Sequence, residues 1–174
     1  MDVDKIHIFG TPKEFEFYKK NVIKKIGEKP IALCADHSGY ECKEKFKKVL
    51  KNNNIEFIDF GTHIDDDCDY KYYINQAINS KRDGVCDFIF GFCRTGQGVN
   101  ICANTFKDIR AALIFDDYTA EMAIRHNCAN FFSFPGRLMT NEDQIEKIIK
   151  ILCENTFDGG RHQMRIQELK NEVV

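Results

Sequence analysis

The stretch VCDFIFGFCRTGQGVN, residues 85–100, places an apolar run directly before two closely spaced glycines. A short run of this kind is typical of a strand buried on both faces of a sheet, here at 85–91. The glycines and the threonine that follow favour a tight turn. Residues 98–106 then have the pattern of a short helix. The segment therefore predicts a strand, a glycine-rich loop and a helix in immediate succession.

The same alternation extends to both sides of this stretch. Apolar runs predict five strands, at 31–35, 55–61, 85–91, 110–115 and 129–134. Helical spacing predicts helices at 40–54, 70–82, 98–106, 117–126, 141–156 and 159–170, with Asn141 capping the fifth. Nearly continuous apolar strands that alternate with helices predict a parallel sheet covered on both faces. We expect an α/β fold, a Rossmann-like three-layer sandwich with five parallel strands.

The composition is that of an ordinary globular chain. Of the 174 residues, 43% are hydrophobic and 30% are charged, and the net charge is -2. Such a small charge gives no electrostatic reason to expect nucleic acid or a membrane surface as a partner. No apolar stretch approaches the roughly 20 residues that span a bilayer. We expect one domain over residues 30–174 and an N-terminal extension over residues 1–29, which the alternation does not include.

The chain has eight cysteines, which raises the possibilities of disulfides and of zinc. It contains no C-x-x-C pair, and Cys34, Cys86 and Cys153 lie in apolar runs, where cysteine acts as a small hydrophobic residue. The acidic stretch DDDCD at 65–69 lacks the spacing of a calcium loop, so a solvated loop is the better interpretation. We expect free thiols in reducing, cytoplasmic surroundings, and no metal.

The glycine loop is the first candidate site, because ligands of parallel sheets bind outside the carboxyl ends of the strands. Its backbone N–H groups and the helix start suit an anion, although a plain tight turn explains the glycines about as well. It is neither a Walker A loop nor a full G-x-G-x-x-G, since Ile101 takes the third glycine position. Cys93 precedes the loop, where a helix N-terminus stabilises a thiolate that can act as base or nucleophile. The alternative is a buried structural cysteine.

Other polar residues follow the ends of predicted elements. Asp36 and His37 come after the first strand, and a helix cap alone would explain Asp36 but not the histidine. His126 and Asn127 end the fourth predicted helix, where capping and the helix dipole also account for them. Arg161 and Arg165 lie one helical turn apart at a glycine-led helix start, which suits a phosphate, although a solvated basic face explains them too. Arg137 follows the fifth strand, where a surface arginine is the default interpretation.

Taken in order, six stretches resemble type B ribose-5-phosphate isomerase and its relative galactose-6-phosphate isomerase. They lie between about Ile31 and Glu168 and read ADHSGYECKE, DFGTHIDDDCDYKYY, GFCRTGQGVNICANTFKDIRAAL, AIRHNCAN, PGRLM and FDGGRHQMRIQEL. Each stretch is modest alone, but the ordered set is specific. The resemblance implies a five-stranded parallel sheet, a sugar-phosphate substrate, and neither metal nor organic cofactor. It also implies a homodimer, often paired into a tetramer, with active sites between subunits.

The resemblance further assigns roles to individual positions. The catalytic group would be Cys93, Thr95, His126 and Asp36. The substrate-binding group would be His37, Tyr70, Arg94, Gly96, Gly98, Asn127, Arg137, Arg161 and Arg165. Cys93 would move a proton between two neighbouring carbons, and His126 would open the furanose ring. Backbone N–H groups of the glycine loop would stabilise the enediolate.

Some positions depart from the family pattern. Arg94 stands where a small residue, usually glycine, is found; Gln97 replaces an aliphatic residue and Cys128 a polar one. Arg94 puts a bulky cation beside the proposed base, where it either assists thiolate formation, contacts a larger or more acidic sugar phosphate, or partly blocks ribose phosphate. We expect Arg94 to keep an ordinary backbone angle at the rim of the cleft.

Ribose 5-phosphate is the expected substrate, and a six-carbon sugar phosphate is the alternative. A non-catalytic sugar-phosphate sensor is a third interpretation, against which the presence of base, hydroxyl and histidine together argues. A dinucleotide-binding module, with Asp116 or Asp117 as the ribose reader, is disfavoured because the loop follows the third strand rather than the first.

Overall fold

The sheet of this computed structural model is wholly parallel, with strand order β2-β1-β3-β5-β4. The structure describes residues 24–64 and 66–171, so most of the expected N-terminal extension lies outside the described residues. The strands are β1 (Ile31–Ala35), β2 (Phe57–Asp59), β3 (Ile89–Cys93), β4 (Ala111–Leu113) and β5 (Phe131–Pro135). The helices are α1 (Tyr40–Asn52), α2 (Tyr70–Arg82), α3 (Gln97–Asn104), α4 (Asp117–Arg125), α5 (Glu142–Glu154) and α6 (Arg161–Asn171). This arrangement confirms the predicted Rossmann-like sandwich.

One strand lies further along the chain than its composition suggests. The apolar run predicted β3 at 85–91, whereas the strand begins at Ile89 and continues to Cys93. Its limits are set by its neighbours: Phe92 pairs with Ala35 of β1, and Cys93 pairs with Pro135 of β5. The predicted strands 55–61 and 110–115 are also too long, because β1 and β5 pair with only three residues of each. Asn141 caps α5 as predicted, accepting the N–H of Asp143 at 2.8 Å.

Side chains on the two faces of the sheet form two separate buried clusters. Phenylalanines dominate one face, where Phe46 of α1 packs with ring centroids 4.9 Å from Phe92 and 4.5 Å from Phe134. The opposite face is covered by α2 and α3, which bury Ala32, Ile89 and other small or branched residues. Full burial of one Phe or Ile side chain stabilises the folded state by about 1.5–3 kcal/mol. Both faces of the sheet therefore form part of the hydrophobic core. The edges of the sheet, where strands end, are therefore left for ligands.

Parallel strands give the sheet one carboxyl edge and one amino edge. The helix α4 starts beside the carboxyl end of β4 and is capped there by Asp116, which accepts the N–H of Thr119 at 2.7 Å. It then returns to the amino edge, where the chain enters β5 through Asn130, whose N–H binds Arg110 O at 3.1 Å. A residue that follows α4 thus lies at the opposite edge from a residue that follows β3.

All eight cysteines are free. Residues 24–64 and 66–171 contain no group of His, Cys, Asp and Glu side chains arranged to hold a metal ion. Over the same residues, no helix combines the length and the apolar character needed to cross a bilayer.

Candidate active site

Cys93 is the last residue of β3 and lies at the carboxyl edge of the sheet. Its side chain is buried, with 5% of the residue exposed. Its carbonyl accepts the N–H of Gly136 at 2.9 Å, so the backbone at Cys93 is held by the chain that leaves β5. The thiol is therefore fixed at the entrance of the glycine loop.

Gly96 shapes the loop that follows Cys93. It adopts φ 72° and is the N-cap of α3. A Cβ at this position would lie 2.4 Å from Leu113 Cδ1 and 3.0 Å from Pro135 N, so the loop passes close to β4 and β5. The buried Ser133 Oγ donates to Gly96 O at 2.6 Å and anchors the loop to β5. This turn starts α3 beside Cys93, where first-turn N–H groups, which lack intrahelical partners, favour negative charge.

Tyr70 lies against this loop, although 26 positions of sequence separate it from Gly96. It is the first residue of α2, which Asp69 caps by accepting the N–H of Lys71 at 2.8 Å. A Cβ on Gly98 would lie 3.2 Å from Tyr70 Cε1 and 3.4 Å from its hydroxyl oxygen. The absence of a side chain at Gly98 therefore lets the tyrosine ring approach the loop.

Asp36 and His37 lie at the same edge, just beyond β1. Asp36 Oδ1 accepts the N–H of Gly39 at 2.8 Å and caps a single 3-10 turn. Burial raises the pKa of the Asp36 carboxyl above its usual range, although the hydrogen bond from Gly39 acts in the opposite direction. A Cβ on Gly39 would lie 2.4 Å from the carbonyl carbon of Phe92, so this turn is pressed against the end of β3.

His37 makes a contact that the sequence did not predict. Its Nδ1 lies 3.3 Å from the N–H nitrogen of Cys68 and 3.3 Å from Asp67 Oδ1. The acidic stretch 65–69 was interpreted as a solvated loop, and Asp67 is indeed almost fully exposed. Two residues of that loop, Asp67 and Cys68, nevertheless contact a candidate substrate-binding histidine.

Arg94 and Arg137 follow adjacent strands and are joined through their backbones. The N–H of Arg137 donates to Arg94 O at 3.1 Å, and both residues are exposed. Among the described residues other than glycine, positive φ occurs only at Asn54 and Cys128. Arg94 therefore has the ordinary backbone angle predicted for it, and Gly96 supplies the left-handed conformation that the loop needs.

His126 and Asn127 lie at the end of α4. The N–H of His126 donates to Met122 O at 3.1 Å, and Asn127 Nδ2 donates to the same oxygen at 3.1 Å. The hydrogen bonds at the end of α4 are therefore those of a helix cap, which is one of the interpretations that the sequence left open. The imidazole of His126 has further partners: it stacks on His162 with centroids 4.1 Å apart, and its Nε2 lies 3.8 Å from Asp158 Oδ2.

Arg161 and Arg165 lie in the first two turns of α6, close to the stacked histidines. Arg161 Nε donates to His162 Nε2 at 3.3 Å, and both arginines are exposed. His162 and Asp158 were not predicted as site residues. The signal available for His162 was its place between two arginines in GGRHQMR, whereas nothing in the sequence pairs Asp158 with His126.

The candidate residues of one chain thus form two groups at opposite edges of the sheet. The carboxyl-edge group is Asp36, His37, Tyr70, Cys93, Arg94, Thr95, Gly96, Gly98 and Arg137; the amino-edge group is His126, Asn127, Arg161 and Arg165. Cys93 is level with the end of β5, whereas His126 precedes its start. At about 3.3 Å per residue, the length of β5 alone separates them by about 13 Å.

Comparisons with known proteins agree on one family. A family model described as Ribose/Galactose Isomerase matches residues 31–169. Ribose-5-phosphate isomerase B of Escherichia coli (strain K12) is 32% identical over 141 residues, covering 81% of this chain and 94% of that protein.

Solved structures give the same result. The crystal structure of a ribose 5-phosphate isomerase from Thermotoga maritima is 36% identical with a TM-score of 0.78, covering 83% of this chain and 99% of that chain. Ribose-5-phosphate isomerase B from Mycoplasma genitalium, crystallised with bound ribulose-5-phosphate, is 29% identical with a TM-score of 0.74, covering 83% and 95%. With a matching family model over most of its length, the chain belongs to the ribose/galactose isomerase family.

Proposed function

We propose that this protein interconverts ribose 5-phosphate and ribulose 5-phosphate, with Cys93 as the base that transfers the proton. The observation that carries the proposal is the position of Cys93, buried at the carboxyl end of β3 and directly before a loop that starts a helix. A thiol in that position can serve as a base or nucleophile, and an oxyanion finds backbone N–H donors next to it. The relatives named as ribose-5-phosphate isomerases, which this chain matches over nearly their whole length, support the same reaction.

The chemistry follows from these groups. The Cys93 thiolate takes the C2 proton of open-chain ribose 5-phosphate, and the electrons of that bond form a C1–C2 double bond with charge on O1. The N–H groups of the glycine loop stabilise this enediolate. After a proton moves from O2 to O1, the thiol returns its proton to C1 and leaves a carbonyl at C2. The substrate is mostly a closed furanose, so an imidazole must first open the ring, which is the role we assign to His126.

A complete site in this proposal needs two copies of the chain. Cys93 and His126 of one chain lie at opposite edges, so the histidine that serves Cys93 is His126 of the partner subunit. An isologous two-fold contact between these edges would form two equal sites per dimer. Arg137 would then meet the phosphate from one side, and the partner's Arg161 and the partner's Arg165 from the other.

A six-carbon sugar phosphate is the second candidate substrate. The specific reason is Arg94, which is exposed beside Arg137 and adds a cation at the carboxyl edge. A longer or more acidic substrate would use that cation. We also infer that residues 30–174 form the catalytic domain, since the family match spans 31–169, and that the eight free thiols belong to a reducing, cytoplasmic setting.

The test is an aldose–ketose assay on a panel of five- and six-carbon sugar phosphates with the wild type, Cys93→Ala and Cys102→Ala. Cys102 lies on α3 outside the proposed site and is the matched control. We expect Cys93→Ala to lose at least about 100-fold in kcat, within the range of a general base, and Cys102→Ala to stay near wild type. If Cys93→Ala keeps more than about a tenth of the wild-type kcat, a deficit below about 1.4 kcal/mol, the assignment is wrong. A wild type that binds but converts no sugar phosphate would instead indicate a sensor.

A further inference from the structure

Charged and titratable side chains converge where α4 ends and α6 begins. Asp158 is fixed there by Arg125: Nε of the arginine lies 3.3 Å from Oδ1, and Nη2 lies 3.1 Å from Oδ2. A backbone hydrogen bond joins the same two residues, with the N–H of Asp158 donating to Arg125 O at 2.9 Å. A planar, two-pronged pair of this kind fixes the plane of the carboxylate as well as its position.

The carboxylate so fixed faces the imidazole of His126. Asp158 Oδ2 lies 3.8 Å from His126 Nε2, within ion-pair distance though longer than a direct hydrogen bond. Catalytic hydrogen bonds are often long in ligand-free structures and tighten when substrate binds. An acceptor on the Nε2 side favours a proton on that nitrogen and leaves Nδ1 for exchange with a substrate oxygen.

The face of the same ring is covered by His162. The two rings are stacked at 4.1 Å and 12°. Partial desolvation, followed by the positive potentials of His126, Arg161 and Arg165, lowers the pKa of His162, while Asp158 acts in the opposite direction. A neutral His162 can stay stacked when His126 takes up a proton, because two adjacent imidazolium ions would repel.

We propose that Asp158, clamped by Arg125, is a positioning residue that orients His126 for opening of the sugar ring. The proposal rests on the function proposed above. Asp158 holds one edge of the imidazole and His162 holds its face, so the ring keeps one orientation without either residue touching the reacting carbons. Removing the carboxylate should therefore impair ring opening and leave proton transfer at Cys93 intact.

Two readouts separate these steps. Isomerisation of ribose 5-phosphate requires an open furanose, whereas ribulose 5-phosphate has its O5 esterified and cannot close into a furanose. Exchange of its C1 proton with D2O, followed by NMR, therefore needs the base but no ring opening. For Asp158→Asn we expect kcat on ribose 5-phosphate to fall at least about tenfold, part of what general acid–base catalysis contributes, with C1 exchange within about twofold of wild type. Asp158→Glu should recover part of the loss.

The matched control is Asp108→Asn, which removes the same charge from a similar pair. Arg82 binds Asp108 with Nε to Oδ2 at 3.0 Å and Nη2 to Oδ1 at 2.6 Å, and neither carboxylate oxygen of Asp108 binds a residue of the candidate groups described above. It should behave as wild type in both assays. Arg125→Gln removes the arginine partner of Asp158 but keeps the carboxylate. It should lose isomerisation activity to a smaller degree while keeping C1 exchange, and it replaces Asp158→Asn as the test if that variant does not fold.

Equal losses of isomerisation and exchange in Asp158→Asn, or no loss in either, would overturn the positioning role. The proposed function is checked separately by Cys93→Ala in the same exchange assay. Loss of C1 exchange there is expected, and exchange that persists without the thiol overturns the function of Cys93 whatever Asp158→Asn does.

Discussion

Cys93 and His126 of one chain occupy opposite edges of the same parallel sheet. Cys93 ends β3 level with Pro135, whereas His126 follows α4, which has returned to the side where β5 begins. The distance along β5 alone is about 13 Å, and the body of the sheet lies between the two groups. The reaction proposed for them therefore depends on how two copies meet.

Gly96→Ala tests the geometry of the glycine loop. The φ of 72° costs a non-glycine residue about 1–2 kcal/mol, and the new Cβ would lie 2.4 Å from Leu113 Cδ1. We expect a lower free energy of unfolding by urea and a clearly reduced kcat, because the N–H groups of the loop shift. Gly84→Ala is the control, with φ 76° and no atom within 4 Å of its Cβ, and should lose stability but keep kcat. A fully active Gly96→Ala would contradict the role of the loop.

Arg137, Arg161 and Arg165 are expected to bind the phosphate from two edges. Alanine at any one of them should raise KM for ribose 5-phosphate and weaken inhibition by inorganic phosphate. Some loss of kcat should follow, because binding energy at the phosphate positions the reacting carbons. Lys150→Ala, an exposed cation on α5, is the control in the same steady-state assay. Unchanged KM in all three arginine variants would show that these residues do not bind the phosphate.

Arg94 is expected to set the preference among sugar phosphates. It is exposed at the rim beside Arg137 and carries no backbone strain. Arg94→Gly should therefore fold normally and change the ratio of kcat/KM between ribose 5-phosphate and six-carbon phosphates. The ratios are measured on one panel with both proteins, and identical ratios would show that Arg94 does not determine specificity.

Asp36 predicts a particular dependence of stability on pH. Burial raises its pKa in the folded chain, so the native state holds this proton more tightly than the unfolded state. As the pH rises from the ordinary aspartate pKa through the pKa of Asp36 in the folded chain, the free energy of unfolding of the wild type decreases. Above the folded pKa the carboxyl is ionised in both states and this decrease is complete. Asp36→Asn can still cap Gly39 but does not ionise. Its stability relative to wild type should rise with pH over this window and then level off in urea titrations. A flat or falling difference would contradict the burial argument.

Much of the architecture could be predicted from alternation and apolar runs. These signals are local, and they were sufficient for the five parallel strands and for the Asn141 cap. They placed β3 four residues too early at its start because strand limits depend on partners, here β1 and β5, which are remote in sequence.

Only part of the candidate site could be predicted from local sequence patterns, because the other part depends on contacts between segments that are remote in sequence. Residues that directly follow strands, such as Asp36 and Cys93, could be assigned to the carboxyl edge from topology alone. The same rule places the end of the helix predicted at 117–126 on the other edge, so a catalytic role for His126 came only from the family resemblance. Asp158 and His162 meet His126 through packing of α6 on the end of α4, and no local pattern encodes that contact.

The most direct test of the two-subunit site is complementation between Cys93→Ala and His126→Ala. Each homodimer has no complete site and should be nearly inactive. A mixed dimer has one intact site, formed by Cys93 of one subunit and His126 of the partner subunit. After unfolding and refolding of an equimolar mixture, random pairing should restore about one quarter of wild-type activity. Differently tagged subunits would show whether mixed dimers form. If they form but recover no activity, the two-subunit site is contradicted.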